Sequence, residues 1–244
     1  MFNCCNSANP DIRESALEIF GYLPTIFGEN LGRYITVIKE VFQKSLIDPS
    51  PKVWAPPPPP PVLLAPCQNF LSLHPIQIKL AALNATIAFL LVIEDPQQMA
   101  VFGDLLPHML QIIAMALNSQ DEDSARDAIS AFIDLAESTP KFLKRSLDTL
   151  IPAMVQITST NSVEDSTRHL AVELLITLTE KAPAMIRKYK GFVESVYPAC
   201  WSLMVDIEDD SDWHTAEDVI PPFTHTHLFG KMILLNRRCC CLPD

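Results

Sequence analysis

The sequence predicts an all-α fold: an α-solenoid of HEAT-type helical hairpins, about four to five repeats long. Three observations carry this. An apolar-apolar-proline step recurs as Leu105-Leu106-Pro107, Leu150-Ile151-Pro152 and Val196-Tyr197-Pro198, with the prolines 45 and 46 residues apart. A second signature pairs a residue with a base and then places small or apolar residues four and seven positions on. It occurs at Ile12-Arg13, Ile78-Lys79, Ala125-Arg126 and Thr167-Arg168, and the spacing gathers Ala16, Ala82, Ile129 and Ala171 onto the faces of their helices. A proline then follows each such helix, at Pro24, Pro96, Pro140 and Pro183. The regular intervals of 42 to 47 residues, with two helices in each, are those of HEAT or armadillo hairpins. One hairpin cannot bury its own apolar face, so stacking against the next supplies the core.

Taken in order, the periodicity predicts a helix at 10–22 that closes a first unit. Hairpins follow at 31–47 with 75–93, 97–118 with 123–138, and 141–158 with 164–181, then a last first helix at 184–205. Ser124 and Asp165 or Ser166 are the expected N-caps. Prolines of the apolar-apolar-proline step lack an N–H and either begin or kink their helices. The expected organisation is thus 1–48 as the first HEAT-type helices and 75–205 as further repeats.

Three segments fall outside the repeat. Residues 49–74 stretch the interval between the first two units and contain the unbroken prolines 56–61. Consecutive prolines adopt an extended polyproline helix, so this segment is expected to loop out, disordered, either as a ligand for SH3-like or WW-like domains or as a solvated insertion. Residues 206–218 form an acidic loop holding Asp206, Glu208, Asp209, Asp210, Asp212, Glu217 and Asp218 with no Lys or Arg among them, and Trp213 supplies an apolar anchor. These eight residues are the candidate partner-binding site: a concentrated negative field attracts basic segments, although a solvated linker has the same composition. Residues 219–244 are an atypical tail, also expected to be disordered, with Pro221-Pro222, His225-Thr226-His227 and Cys239-Cys240-Cys241.

Composition narrows the function. The chain has 244 residues and a formal charge of −11, which speaks against bulk nucleic acid and anionic membranes as partners and favours basic proteins. Seven cysteines, five of them near the ends, form no CxxC pair and no legible disulfide framework, which fits a reducing compartment. No secretory leader is legible, and the apolar run 80–93 is too short to span a bilayer. His and Cys spacings match no established zinc pattern, and the acidic run lacks the glycine and terminal glutamate of an EF-hand. No metal or cofactor is expected. There is no nucleophile elbow, P-loop or HExxH motif, and Glu14 and Glu18 read as ordinary surface residues of a helix, so the chain is not expected to be an enzyme.

Four stretches together resemble the importin-beta (karyopherin-beta) family of nuclear transport receptors, in its importin-beta-three branch and with a likeness to plant members. They are 11–28, opening Asp11-Ile12-Arg13-Glu14-Ser15-Ala16; 80–89, opening Leu80-Ala81-Ala82-Leu83-Asn84; 164–180, opening Glu164-Asp165-Ser166-Thr167-Arg168-His169; and 204–217, containing Asp206-Ile207-Glu208-Asp209-Asp210-Ser211-Asp212-Trp213. The resemblance covers about 10–48 and 75–218. It implies a superhelix of HEAT repeats that binds cargo with basic or lysine-rich signals, Ran GTPase and Phe-Gly nucleoporins, and that shuttles between cytoplasm and nucleus. It also implies that the acidic run faces a basic partner, either cargo or Ran. Family members are several times longer, so the chain is expected to be a fragment, with an atypical proline-rich insertion and C-terminal tail. In such solenoids the second helices, bearing Arg13, Lys79, Arg126 and Arg168, line the concave side; those bases either meet partners there or pair with the acids and carbonyls of neighbouring repeats. The alternative is another HEAT or armadillo scaffold, such as a phosphatase regulatory or assembly-factor subunit.

Overall fold

A computed structural model describes residues 2–24, 32–48 and 76–205, and every regular element among them is helical. The expected proline-rich insertion, acidic loop and tail lie outside the described residues. The chain divides into two compact units, Met1–Ser146 and Leu147–Asp244.

The first unit contains α1 (Phe2–Cys5), α2 (Pro10–Tyr22), α3 (Ile35–Leu46), α4 (Gln77–Val92), α5 (Pro96–Val101), a 3₁₀ turn (Phe102–Leu105), α6 (Leu106–Asn118), α7 (Glu122–Ser138) and a second 3₁₀ turn (Pro140–Ser146). At its centre lies α4, which packs against α2, α3 and α7. Its sequence explains that position. Ile78, Leu80, Ala82, Leu83, Ala85, Thr86, Ile87, Phe89 and Leu90 are all buried, so the helix is apolar around most of its circumference. Phe89 meets Phe42 of α3 at 5.4 Å and Phe20 of α2 at 6.2 Å, and Phe20 and Phe42 meet each other edge-on at 6.1 Å. Phe2 of α1 rests on Phe20 at 5.4 Å, which adds a short helix absent from the periodicity. Each fully buried phenylalanine contributes about 1.5–3 kcal/mol of transfer free energy.

Helix starts in this unit follow from local chemistry. Asn9 and Asp95 each precede a proline at the first helical position, and their side chains accept the N–H groups of Asp11 and Gln97. The expected cap at Ser124 is corrected: the cap of α7 is Asp121, whose carboxylate accepts both the Ser124 N–H and the Ser124 hydroxyl. Ser124 is buried inside the first turn and needs that acceptor. Asp121 also closes the preceding helix. Its N–H reaches the Ala116 carbonyl at 3.0 Å while the Gln120 N–H reaches Leu117 at 3.1 Å, and Gln120 takes a φ of 58°. This is a Schellman closure with glutamine in the place where glycine is least strained.

The second unit contains α8 (Leu147–Thr158), α9 (Asp165–Lys181), α10 (Pro183–Ile186) and α11 (Phe192–Val205). α9 and α11 both pack against α8. Val172, Ile176 and Cys200 form a small core with Val196 and Leu203 packed on it. The expected caps at Asp165 or Ser166 are also corrected. Glu164 occupies the cap position of α9 without a side-chain cap bond, and the Ser166 hydroxyl instead donates to the Glu164 carboxylate.

The helices expected at 10–22, 75–93, 123–138 and 164–181 form within two residues of those bounds. Those expected at 97–118, 141–158 and 184–205 do not form as single helices. The first and third begin with a short helix and resume after a 3₁₀ segment or turn, at Phe102–Leu105 and at 187–191, whereas the second opens directly as the 3₁₀ segment Pro140–Ser146 before α8. The apolar-apolar-proline step lies in the resumed piece each time. Pro107 sits in the first turn of α6, whereas Pro152 and Pro198 lie inside α8 and α11, where no N–H is available for the carbonyl four residues back. The breaks let Phe102, Leu143 and Ile186 turn inward; all three are buried.

Candidate functional site

The acidic candidate residues Asp206, Glu208, Asp209, Asp210, Asp212, Trp213, Glu217 and Asp218 lie outside the described residues. The four recurrent bases are described, and they are held within the fold. Arg13 is buried. It donates from Nε to Asp48, just past α3, at 2.8 Å, and from a guanidinium N–H to the carbonyls of Ser7 and Ala8 at 2.7 and 3.2 Å. Arg168, 4% exposed, donates from Nε to the Thr158 carbonyl at the end of α8 (2.9 Å) and from Nη1 to Asp165 (3.0 Å). Both guanidiniums therefore satisfy carbonyls that a helix end or a turn leaves open. Arg168 does so within its own hairpin rather than in a neighbouring repeat. Lys79 lays its ammonium on the Met115 sulfur at 3.7 Å, and Arg126 pairs with Asp123 one turn back in α7.

The residue after each base in the first unit does something different. Glu14, Leu80 and Asp127 follow Arg13, Lys79 and Arg126, and all three line one open cleft across α2, α4 and α7, about 580 Å³ in volume. Glu18 and Asn84, one turn further along α2 and α4, line it as well. The helical spacing explains this: if one position of each second helix turns inward, the next turns toward the shared groove. Leu17, Ala81, Ala85 and Ala88 supply its apolar lining, and the side chains are small where α2 and α4 approach. A Cβ on Gly21 would meet the Ala85 Cα at 3.8 Å, an ordinary van der Waals contact between α2 and α4. The charged residues lining the cleft, Glu14, Glu18 and Asp127, are all acidic. Sequence reasoning passed over Glu14 and Glu18 as ordinary surface; the register one residue after the recurrent base was the signal that could have found them.

Burial pushes the thiols of Cys5 and Cys200 up, with the neighbouring Cys4 adding to the effect on Cys5, so neither is poised as a thiolate. No group of three His, Cys, Asp or Glu residues with metal-holding geometry occurs among the described residues. One stretch of the described helices, Pro96–Asn118, is long and apolar enough by length and composition to cross a membrane, with a mean hydropathy of 1.6. Its Phe102, Leu105, Leu106, Met109, Ile112, Ile113 and Ala116 are buried in the first unit, as in a core helix.

Helical hairpins that carry side chains across successive second helices define a repeat scaffold for binding proteins. A family model described as "IPO5-like, TPR repeats" matches residues 1–56 and 62–151, more than half of the chain, and one described as "Importin repeat" matches 159–221. The chain belongs to the importin-5-like group of the importin-beta family. Importin subunit beta-3 of Saccharomyces cerevisiae is 23% identical over 216 residues, 87% of this chain and 17% of its own length. A probable importin-5 homolog of Dictyostelium discoideum is 23% identical over 216 residues, 87% of this chain and 18% of its own. The chain therefore spans less than a fifth of either relative.

Solved structures show the same fold. Kap121p bound to the SUMO protease Ulp1p superposes with a TM-score of 0.68 at 21% identity, over 90% of this chain and 19% of that one. Kap121p bound to Nup53p gives 0.66 at 23%, over 90% and 19%, and Kap121p bound to RanGTP gives 0.65 at 21%, over 90% and 18%. The family membership sets aside the phosphatase or assembly-factor alternative. Repeat intervals of 42 to 47 residues exceed the roughly 34 of a tetratricopeptide unit, so the hairpins are HEAT-type in length. The first match passes over residues 57–61, inside the proline run, and the second runs through all the acidic candidates.

Proposed function

We propose that this chain is a cargo-binding segment of a nuclear import receptor, taking basic or lysine-rich signals on its acidic surfaces. The observation that carries this reading is the cleft across α2, α4 and α7, where Glu14, Glu18 and Asp127 supply the only charges among the described residues that line a partly apolar groove. A lysine side chain suits such a groove, because its methylene stem covers apolar surface while its ammonium meets carboxylates. Asp206, Glu208, Asp209, Asp210, Asp212, Glu217 and Asp218 extend the same sign of charge, with Trp213 as an apolar anchor. Support comes also from a Kap121p structure in which three acidic residues are replaced by lysine, and from the Kap121p complexes with Nup53p, Ste12p and RanGTP. By the same family relation the partners include Ran GTPase and Phe-Gly nucleoporins, and the receptor shuttles between cytoplasm and nucleus.

Titration calorimetry with a lysine-rich signal peptide tests the reading. Binding is expected to weaken steeply as salt rises. It should fall at least about tenfold in an E14K/E18K/D127K variant, because like charges replace complementary ones. Equal affinity of that variant and the parent chain would overturn the role of the cleft. A pull-down with GTP-loaded Ran tests the second partner separately.

A further inference from the structure

Asparagine followed by serine carries a reaction within its own chain. The serine backbone nitrogen can attack the asparagine side-chain carbon, and serine is small enough to leave that nitrogen open. The attack needs an N–H that can lose its proton and move, so a hydrogen bond on that N–H protects the pair until it opens. Three such pairs occur among the described residues: Asn6-Ser7, Asn118-Ser119 and Asn161-Ser162. All three asparagines are exposed, so accessibility does not separate them. Hydrogen bonding does. The Ser7 N–H donates to the Cys4 carbonyl at 3.1 Å, and the Asn6 side-chain amide donates to the Phe2 carbonyl at 3.1 Å. At the end of α6 the Ser119 N–H donates to the Met115 and Ala116 carbonyls at 3.1 and 3.2 Å. In the turn between α8 and α9 the bonds pass over the pair instead: the Thr160 N–H reaches Ile157 at 3.2 Å, and the Val163 N–H reaches Thr160 at 3.1 Å. Neither the Ser162 N–H nor the Asn161 side chain has a hydrogen-bond partner among the described residues, and Ser162 is exposed as well.

We propose that Asn161 is a site of spontaneous deamidation, and that its iso-aspartate product makes the aged chain a substrate for a carboxyl methyltransferase that repairs isoaspartyl residues with S-adenosylmethionine. The first step needs only water. The Ser162 nitrogen gives its proton to solvent and bonds to the Asn161 side-chain carbonyl carbon. The bond from that carbon to the side-chain nitrogen breaks, and ammonia leaves after taking a proton from solvent. Water then opens the succinimide ring. Opening at the side-chain carbonyl gives aspartate; opening at the main-chain carbonyl leaves the chain running through the side-chain carbon, as iso-aspartate. Either product places a new negative charge ahead of α9. Iso-aspartate also inserts an extra carbon into the main chain, within the stretch that the Arg168–Thr158 hydrogen bond closes. In repair, the methyl group passes from the sulfonium of S-adenosylmethionine to the free carboxylate of the iso-aspartate. The Ser162 nitrogen attacks the ester, methanol leaves, and the succinimide forms again.

Ageing the full chain at neutral pH, read by peptide mass spectrometry, tests the assignment. Conversion of Asn161 is expected to outrun that of Asn6 and Asn118 at least about tenfold, the factor set by a hydrogen bond that must open first. In concentrated urea, where those bonds are lost, the three rates should come within about threefold of one another. Equal rates in the folded chain, or an advantage of Asn161 that survives in urea, would overturn the role of the turn. The repair step has its own readout. Purified isoaspartyl methyltransferase with tritiated S-adenosylmethionine is expected to label the peptide carrying residue 161 in the aged chain. Fresh chain and an aged Asn161→Gln variant should lose that label, because the longer side chain closes its ring far more slowly. Deamidation at Asn161 without label on that peptide would overturn the methyltransferase as partner.

Discussion

The second helices and the first helices of the hairpins are built differently. α2, α4, α7 and α9 are single uninterrupted rods, while the segments beginning at Pro96, Pro140 and Pro183 are broken in two. Proline marks the contrast, although Pro152 and Pro198 lie within the continuous helices α8 and α11 and not at the breaks. The rods have none beyond their first turn, so their ladders run unbroken and their neighbours align side chains across the unit. The broken segments carry a proline in the resumed piece and turn Phe102, Leu143 and Ile186 inward at each break. The rods supply both the central core and the cleft; the broken helices supply apolar plugs that hold them. A surface for partners is therefore best placed on the rods, where register is conserved by geometry from one repeat to the next.

This contrast can be broken most directly at its core. Phe89→Ala in α4 removes a fully buried ring packed on Phe20 and Phe42, and is expected to cost about 3–5 kcal/mol. A denaturant melt followed by circular dichroism reads that loss, and a change under 1 kcal/mol would mean that α4 is not the central rod. The next effect separates two arginines at equivalent positions of two rods. Arg168→Met leaves the Thr158 carbonyl without its guanidinium donor and should cost about 2 kcal/mol. Arg126→Ala, which breaks a solvent-facing pair with the exposed Asp123, should cost no more than about 0.5 kcal/mol. Similar losses in the same melts would remove the distinction between a helix-end staple and a surface pair.

Smaller effects sharpen the picture. Gln120→Gly relieves a left-handed residue at the junction of α6 and α7 and is expected to stabilise the first unit by about 1 kcal/mol. A lower melting temperature would show that the glutamine side chain contributes more than its backbone costs. Last, the thiols report burial with almost no change in stability. A raised thiol pKa means less thiolate at neutral pH, so site-resolved iodoacetamide labelling should modify exposed Cys4 well before buried Cys5 and Cys200. Labelling of the latter two should rise at more alkaline pH. Equal labelling of Cys200 and Cys4 at neutral pH would contradict the packing of α11 on Val172 and Ile176.

Much of this was readable in advance. The rods at 10–22, 123–138 and 164–181 were legible because their small and apolar residues recur at helical spacing and a proline closes each. The family was legible through the order of several motifs rather than through any single one. The caps were not: Ser124 and Asp165 have the chemistry of caps, but Asp121 lies one residue beyond a left-handed turn and so takes the role. Nor were the breaks legible at Phe102–Leu105 and Pro140–Ser146, since a helical pattern continues through both in the sequence.

The sequence alone determined the class of secondary structure, the repeat interval and the sign of charge, because periodicity, proline and formal charge are local properties of the chain. Tertiary structure decided which of those residues act together. Glu14, Glu18 and Asp127 are separated by up to 113 positions yet line one cleft, and Arg13 and Arg168 are drawn inward to satisfy carbonyls. Burial and the crossing of helices from distant parts of the chain set those meetings, and no local pattern encodes which partner a side chain finds.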